Sequence, residues 1–284
     1  MYKNLKVMNQ VKRGRPSKKV LMEVVIPQII DFNKIEKLNK LDIDPRMLES
    51  MESDSVLDTL ISHEGGVPCG TNIMAVGDPG VGKTTVTLDL VSKILNKNKT
   101  RKVLFISAEM GRKQMFKYTQ RFTNFGIVPT LFISDYVDHN SKDVIEQCFD
   151  QGYDLILIDS LAEVIDSVRS DNGWDRRTAE SWIVELMKKQ NEGENNRNLY
   201  TTFIFIQQVT KSGDFVGSNK LKHLTDAMME MRRESEKNGG GTYIEFSKNR
   251  NGNVGIKFGY QLQNDSIYYG TLVNTEDDFE ISES

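Results

Sequence analysis

The chain has 284 residues, 38% of them hydrophobic and 27% charged, with a formal net charge of −3, as a globular protein with a sizeable core does. No stretch approaches the ~20 apolar residues of a membrane span, and the basic N-terminus lacks the apolar run of a secretory signal. Cys69 and Cys148 are its two cysteines and lie far apart, which excludes a disulfide framework and a zinc module and points to a reducing, cytoplasmic setting.

Residues 1–20 read as a disordered basic arm: residues 1–19 carry seven Lys/Arg and no acid. Within it "KRGRPSKK" contains the R-G-R-P core of an AT-hook, in which Arg13 and Arg15 would enter an A·T-rich minor groove. A plain basic tail is the other reading. Residues 21–60 form a short helical lead-in. "LMEVVIPQIIDF" reads as a strand or a helix capped by Pro27, and the following stretch as one or two short helices broken by Pro45.

Residues 61–274 change character. "TNIMAVGDPG" is a strand entering a Gly-rich turn, and "KTTVTLDLVSKILNKN" a helix with apolar residues at helical spacing. "RKVLFISAEM" is a buried strand, "MFKYTQRFTNF" helical, "TLFISDY" a strand and "DVIEQCFDQG" a helix. "YDLILIDSLAEVI" is a fully apolar strand ending in an acid. "TAESWIVELMKKQNEG" is a helix, "LYTTFIFIQQ" a strand and "HLTDAMMEMRR" a short element. "TYIEFSKNR", "VGIKFGYQLQ" and "SIYYGTLV" close the core as antiparallel strands. Strands alternating with helices predict an α/β fold with a mostly parallel sheet covered on both faces. Residues 275–284 are an acidic tail, and the last nine residues, "EDDFEISES", hold five acids and no base. Such a tail suits a protein partner or a masked basic site.

"GDPGVGKTT" satisfies G-x-x-x-x-G-K-[ST]. In that pattern Gly77, Asp78, Pro79, Gly80, Val81, Gly82, Lys83, Thr84 and Thr85 form a cradle whose amides and helix N-terminus face the phosphates of ATP. Lys83 reaches the β and γ phosphates, and Thr84 offers its hydroxyl to Mg2+. Asp159, at the end of the buried apolar strand "YDLILIDS", is the second Mg2+ acid, or else a turn or N-cap aspartate. Glu109, in "VLFISAEM", falls at a neighbouring strand tip, where a carboxylate activates the attacking water. A helix N-terminal acid is its plainer reading.

In order along the chain, "EGGVPCGTNIMAVGDPGVGKTT", "VLFISAEM", "YDLILIDSLAEVI", "IFIQQVTKSGDFVGSNKLKHLTDAMMEM" and "SKNRNG" resemble the RecA superfamily, most of all the ATPase core of the RadA/Sms recombination proteins. "SAEM" and the "KNRNG" string are equally similar to DnaB replicative helicases. The RadA-type four-cysteine module and C-terminal protease-like domain are not expected within these 284 residues, and Asn251 stands where RadA's KNRFG has phenylalanine.

The resemblance implies a RecA-like P-loop core working as a hexameric ring or filament on single-stranded or branched DNA. It gives Gln208 the role of sensing the γ-phosphate. Lys248 and Arg250, two apart on a late strand, share one face. They are expected to miss their own nucleotide and to act on the neighbouring subunit's ATP as trans-acting fingers; charge protecting an edge strand is the alternative. "DSVRSDNGWDRRTAES" and "KSGDFVGSNKLKH" occupy the places of channel loops. Arg169, Arg176, Arg177, Lys211, Lys220 and Lys222 would there contact DNA phosphates, with Trp174 and Phe215 stacking on bases. Ordinary polar loops are the alternative. A DnaB-like helicase motor and a slowly hydrolysing ATP-binding scaffold remain as rival functions.

Overall fold

The computed structural model describes residues 35–207, 219–234 and 241–273. The chain divides after Asp42. Of the first unit, residues 35–42 are described and contain a 3-10 helix, Leu38–Lys40. From Ile43 onward the described residues form one compact unit. Pro45 opens a 3-10 helix, Pro45–Leu48, instead of breaking a longer one. Its fixed φ and missing N–H suit a first helical position. Strand β1 (Ser50–Met51) and helix α1 (Leu57–Ile61) follow, and Met51, Leu57, Leu60 and Ile61 are buried in the main core. Packing with the core therefore begins well before residue 61.

Strand β2 (Val67–Pro68) pairs with β1. The central sheet is built from β3 (Asn72–Gly77), β4 (Val103–Ser107), β5 (Thr130–Phe132), β6 (Leu155–Asp159), β7 (Thr202–Gln207), β8 (Ala227–Arg233), β9 (Thr242–Asn249), β10 (Lys257–Leu262) and β11 (Ile267–Val273). Its order is β11-β10-β9-β8-β3-β7-β6-β4-β5. From β8 to β5 every pairing is parallel, whereas β9, β10 and β11 add antiparallel to one side. The expected mostly parallel sheet with an antiparallel end is observed.

Successive strand residues face opposite sides, so a run of apolar residues buries on both. Ile73, Ala75, Phe105, Leu157 and Ile204 join one core with helix α2 (Lys83–Lys97). Met74, Ile106, Ile158, Phe203 and Phe205 join the other with α4 (Ser141–Phe149), α5 (Leu161–Asn172) and α6 (Arg176–Asn191). Phe105, Phe203 and Phe205 are fully buried, each contributing roughly 2–3 kcal/mol of apolar transfer.

Two sequence expectations are corrected. The strand of "YDLILIDSLAEVI" ends at Asp159, as expected for that acid, but the "LAEVI" read with it is helical from Leu161. Leu161, Val164, Ile165 and Val168 recur at helical spacing and are all buried. The first supposed channel loop is accordingly two helices, α5 and α6, joined at residues 173–175. Gly173 caps α5 with φ 63°, a left-handed conformation that glycine adopts at little cost. Among the described residues no helix is long and apolar enough to cross a membrane.

Candidate functional site

The C-terminal ends of β3, β4 and β6 meet at one cavity of about 490 Å³. Gly77, Pro79, Gly80, Gly82, Lys83, Thr84 and Thr85 line it from the β3–α2 turn, Asp159 from the end of β6 and Glu109 from two residues past β4. Gly80 and Gly82 have φ of 75° and 100°, conformations that L side chains rarely adopt. They curl the chain so that the N-terminus of α2, whose first amides have no partner within the helix, lies at the cavity. A larger cavity, about 630 Å³, opens elsewhere beside Lys99, Arg101 and Tyr153. Its lining includes Leu95 and Asn96 near the end of α2 and Gly152 after α4, and no helix N-terminus.

Lys83 Nζ folds back on its own loop, donating to the carbonyls of Gly77 (2.8 Å) and Asp78 (3.0 Å). Burial lowers the Lys83 pKa, while Asp159, Glu109 and Asp78 oppose that shift. The Thr84 hydroxyl donates to Asp159 Oδ2 at 2.6 Å. Asp159 is itself buried, which pushes its pKa up to about 6. The Thr84 hydrogen bond and Lys83 pull the other way, and nearby Glu109 adds to the rise. β4 and β6 lie in register with Ser107 opposite Asp159, and the Glu109 amide donates to the Asp159 carbonyl at 3.2 Å. The three candidate groups at Lys83, Asp159 and Glu109 thus share one small volume, with Glu109 exposed at its mouth.

Tyr118, Arg121, Ile206 and Leu262 also line the cavity and escaped the sequence reading. Tyr118 and Arg121 are three residues apart on α3 (Arg112–Arg121), hence on one face of that helix. Tyr118 Oη and Thr85 Oγ1 share a hydrogen bond of 2.9 Å. Arg121 donates to the carbonyls of Gln263 and Asn264 and lies over the Phe122 ring. The i, i+3 spacing was a visible signal, but the packing of the β10–β11 turn against α3 was not.

Lys248 and Arg250 stand elsewhere. Antiparallel pairing puts Lys248 opposite Met228 and Asn249 opposite Ala227, at the start of β8, whereas Gly77 is level with Met231 near its end. Strand β9 stops at Asn249 and the pairing shifts between Met228 and Met229, so Arg250 lies beyond the strand and alternation does not put the two cations on one strand face. Lys248 Nζ donates to the carbonyls of Lys222 (2.9 Å) and Thr225, at the end of helix α7 (Asn219–Leu224). Burial lowers its pKa, and Arg250 adds to that. Arg250 pairs with Asp226 at 2.8 Å, and Asp226 also accepts from the Asn72 amide.

The other candidates disperse. Arg169 pairs with Asp166 and Arg176 with Glu180, each on its own helix, while Arg177 is exposed. Trp174 packs edge-on against Trp182 at 6.3 Å, half-buried, which corrects its expected display for base stacking. Lys220 donates to Ser181, and Lys222 is exposed on α7. Arg13, Arg15, Gln208, Lys211, Phe215 and the acidic tail fall outside the described residues.

A sequence profile for a family described as an AAA domain matches residues 46–188. The DNA repair protein RadA of Chlamydia muridarum (strain MoPn / Nigg) is 27% identical over 204 residues, covering 72% of this chain and 42% of that protein. RadA of Listeria monocytogenes serovar 1/2a is 29% identical over 193 residues, covering 67% and 38%. The chain thus spans about two-fifths of the length of these relatives. Among solved structures, a KaiC-like protein from Pyrococcus horikoshii OT3 superposes with a TM-score of 0.60 at 15% identity, over 79% of this chain and 100% of that one. The flagellar accessory protein FlaH from Methanocaldococcus jannaschii gives 0.59 at 14%, over 78% and 100%. At that identity the likeness establishes a shared RecA-like fold.

Proposed function

The chain belongs to the AAA-domain family, as a RecA-superfamily P-loop ATPase similar to RadA, and from that premise we propose that it hydrolyses ATP between the subunits of a homo-oligomer to remodel single-stranded or branched DNA. The observation that carries the reading is the meeting of Lys83, Thr84, Asp159 and Glu109 around one cavity at the head of α2.

In this reading Lys83 leaves the Gly77 and Asp78 carbonyls for the β and γ phosphates. Thr84 and Asp159, hard oxygen donors already 2.6 Å apart, fit Mg2+, which takes few protein ligands and keeps its waters. Held there by Thr84 and Asp159, the ion would supply neutralisation of phosphate charge. Glu109, exposed at the mouth of the cavity, receives a proton from the attacking water. Gln208 follows β7 and reports the state of the γ-phosphate. Arg250, and Lys248 beside it, complete the neighbouring subunit's site in a ring or filament. Arg177, Lys220 and Lys222, with Arg13, Arg15, Arg169, Arg176 and Lys211, supply phosphate contacts to DNA. The acidic tail recruits a protein partner. A cytoplasmic setting fits the buried free thiols of Cys69 and Cys148.

The test is ATP turnover by the purified chain with single-stranded, duplex and forked DNA. Stimulation by single-stranded or forked DNA, lost in Lys83→Ala, is the expected result. A second reading, an ATP-binding DNA scaffold with slow turnover, is favoured by one observation. Lys248 and Arg250 are already held by partners in their own chain. Turnover indifferent to every DNA form would select that reading.

A further inference from the structure

Strand β10 runs beside the phosphate loop and touches it twice. Tyr260, buried, donates its hydroxyl hydrogen to the Val81 carbonyl at 2.7 Å. Leu262 lies over Gly82, where an added Cβ would come within 2.5 Å of Leu262 Cδ1. The Val81 N–H is turned back to the Asp78 carbonyl at 3.4 Å.

In a trans peptide the C=O and the N–H point in opposite directions. Holding the Val81 carbonyl outward on Tyr260 therefore turns the Gly82 N–H inward. The cavity lining agrees: Gly82 contributes to it and Val81, buried, does not. With φ of 100°, Gly82 has conformational freedom that another residue would lack. Left alone, its peptide plane could rotate and point a carbonyl at the phosphates. Burial holds the Tyr260 phenol far above its ordinary pKa, so it remains a donor through the working pH range. The P-loop pattern itself specifies no partner for the Val81 carbonyl.

We propose that Tyr260 and Leu262 are positioning residues that lock the Val81–Gly82 peptide with its amide facing the cavity, so that the phosphate site is formed before nucleotide arrives. The inference rests on the reading of this cavity as a nucleotide site. An amide preset toward an anion contributes to affinity without a reorganisation cost at binding.

Tyr260→Phe keeps the ring and removes the hydroxyl. Calorimetric titration of the full chain with ATP, ADP and inorganic tripolyphosphate is expected to show Kd raised about tenfold for each. The KM for ATP should rise similarly with kcat within about twofold, because the amide acts on ground state and transition state alike. Tyr269→Phe is the control: it deletes a half-buried hydroxyl, donated to Asp89 Oδ2 at 2.9 Å, and should lower Tm while leaving Kd unchanged. If Tyr260→Phe does not fold, Leu262→Ala replaces it, with Kd for ATP and tripolyphosphate expected to rise about threefold. Wild-type affinity in the folded variant overturns the inference, as does an equal Kd change in Tyr269→Phe. A wild-type chain that binds neither ATP nor tripolyphosphate would instead remove the nucleotide reading, and this inference with it.

Discussion

Asp159 illustrates how a single side chain trades stability for a site. Its pKa rises from 3.8 to about 6 because burial disfavours the charge. The folded chain therefore holds more protons than the unfolded chain between those two values. That contribution to stability is complete below 3.8 and is lost as pH rises through 6. The shift corresponds to roughly 3 kcal/mol at most, before relaxation of the site is allowed for. Asp159→Asn keeps the shape and removes the charge. In nucleotide-free protein at pH near 8 it is expected to raise Tm by roughly 3 °C or more. It should also flatten the loss of stability above pH 4 and reduce ATP turnover by at least about a hundredfold. Scanning calorimetry across pH, beside a turnover assay, checks both. An Asn variant with a lower Tm than wild type would remove the electrostatic account. Glu109, at the open mouth of the same cavity, illustrates the opposite case: Glu109→Gln is expected to retain ATP affinity and lose turnover about a hundredfold. A titration paired with a rate measurement decides that.

At the scale of elements, the "KNRNG" segment is a fastening as well as a source of cations. Asn249 Nδ2 donates to the carbonyls of Leu60 (3.1 Å) and Ile61 (3.0 Å), closing the end of α1. The Asn251 carbonyl accepts from the His63 amide at 2.8 Å. A Cβ on Gly252 would meet the Ile61 carbonyl oxygen at 2.9 Å, so this approach needs glycine. Asn249→Ala leaves two carbonyls without that donor and is expected to cost about 2 kcal/mol, read as a fall in the urea midpoint at unchanged slope. An unchanged midpoint would show the fastening to be idle. These contacts cross the chain from residue 60 to residue 249, and no local pattern announces them. What was legible had a local cause. β3, β4, β6 and β7 are apolar runs ended by turns, and α2 follows a glycine loop with its own motif. The P-loop and the two acids sit at the ends of such runs, and they line one cavity. α5 was hidden because Leu161, Val164 and Ile165 continue an apolar strand without a break in composition. Only the three- and four-residue spacing on to Val168 reveals the helix. Tyr118, Arg121 and Tyr260 were hidden for a different reason: their partners belong to other elements.

For the whole molecule, the open question is whether one chain can complete its own site, and the sheet supplies a geometric argument. Gly77 lies level with Met231, whereas Asn249 is opposite Ala227, four residues lower on the same strand β8. At about 3.3 Å per residue that is roughly 13 Å along the strands, and Arg250 lies further still. An arginine side chain does not span that distance back to its own P-loop. If Arg250 acts in hydrolysis, it must act on another copy, after leaving its pairing with Asp226. Complementation tests this directly. Lys83→Ala disables the nucleotide site of a protomer and leaves its Arg250; Arg250→Ala does the reverse. Each variant alone should be nearly inactive. Mixed in equal amounts and allowed to exchange subunits, half of the nucleotide sites have an intact Lys83, and half of those face an intact Arg250. Activity should then recover to about a quarter of wild type. Recovery also requires that the two variants co-assemble, which co-purification of differently tagged copies verifies. Mixed assemblies with no recovered turnover would place the cation's role within its own chain, where the pairing with Asp226 already gives it a structural one.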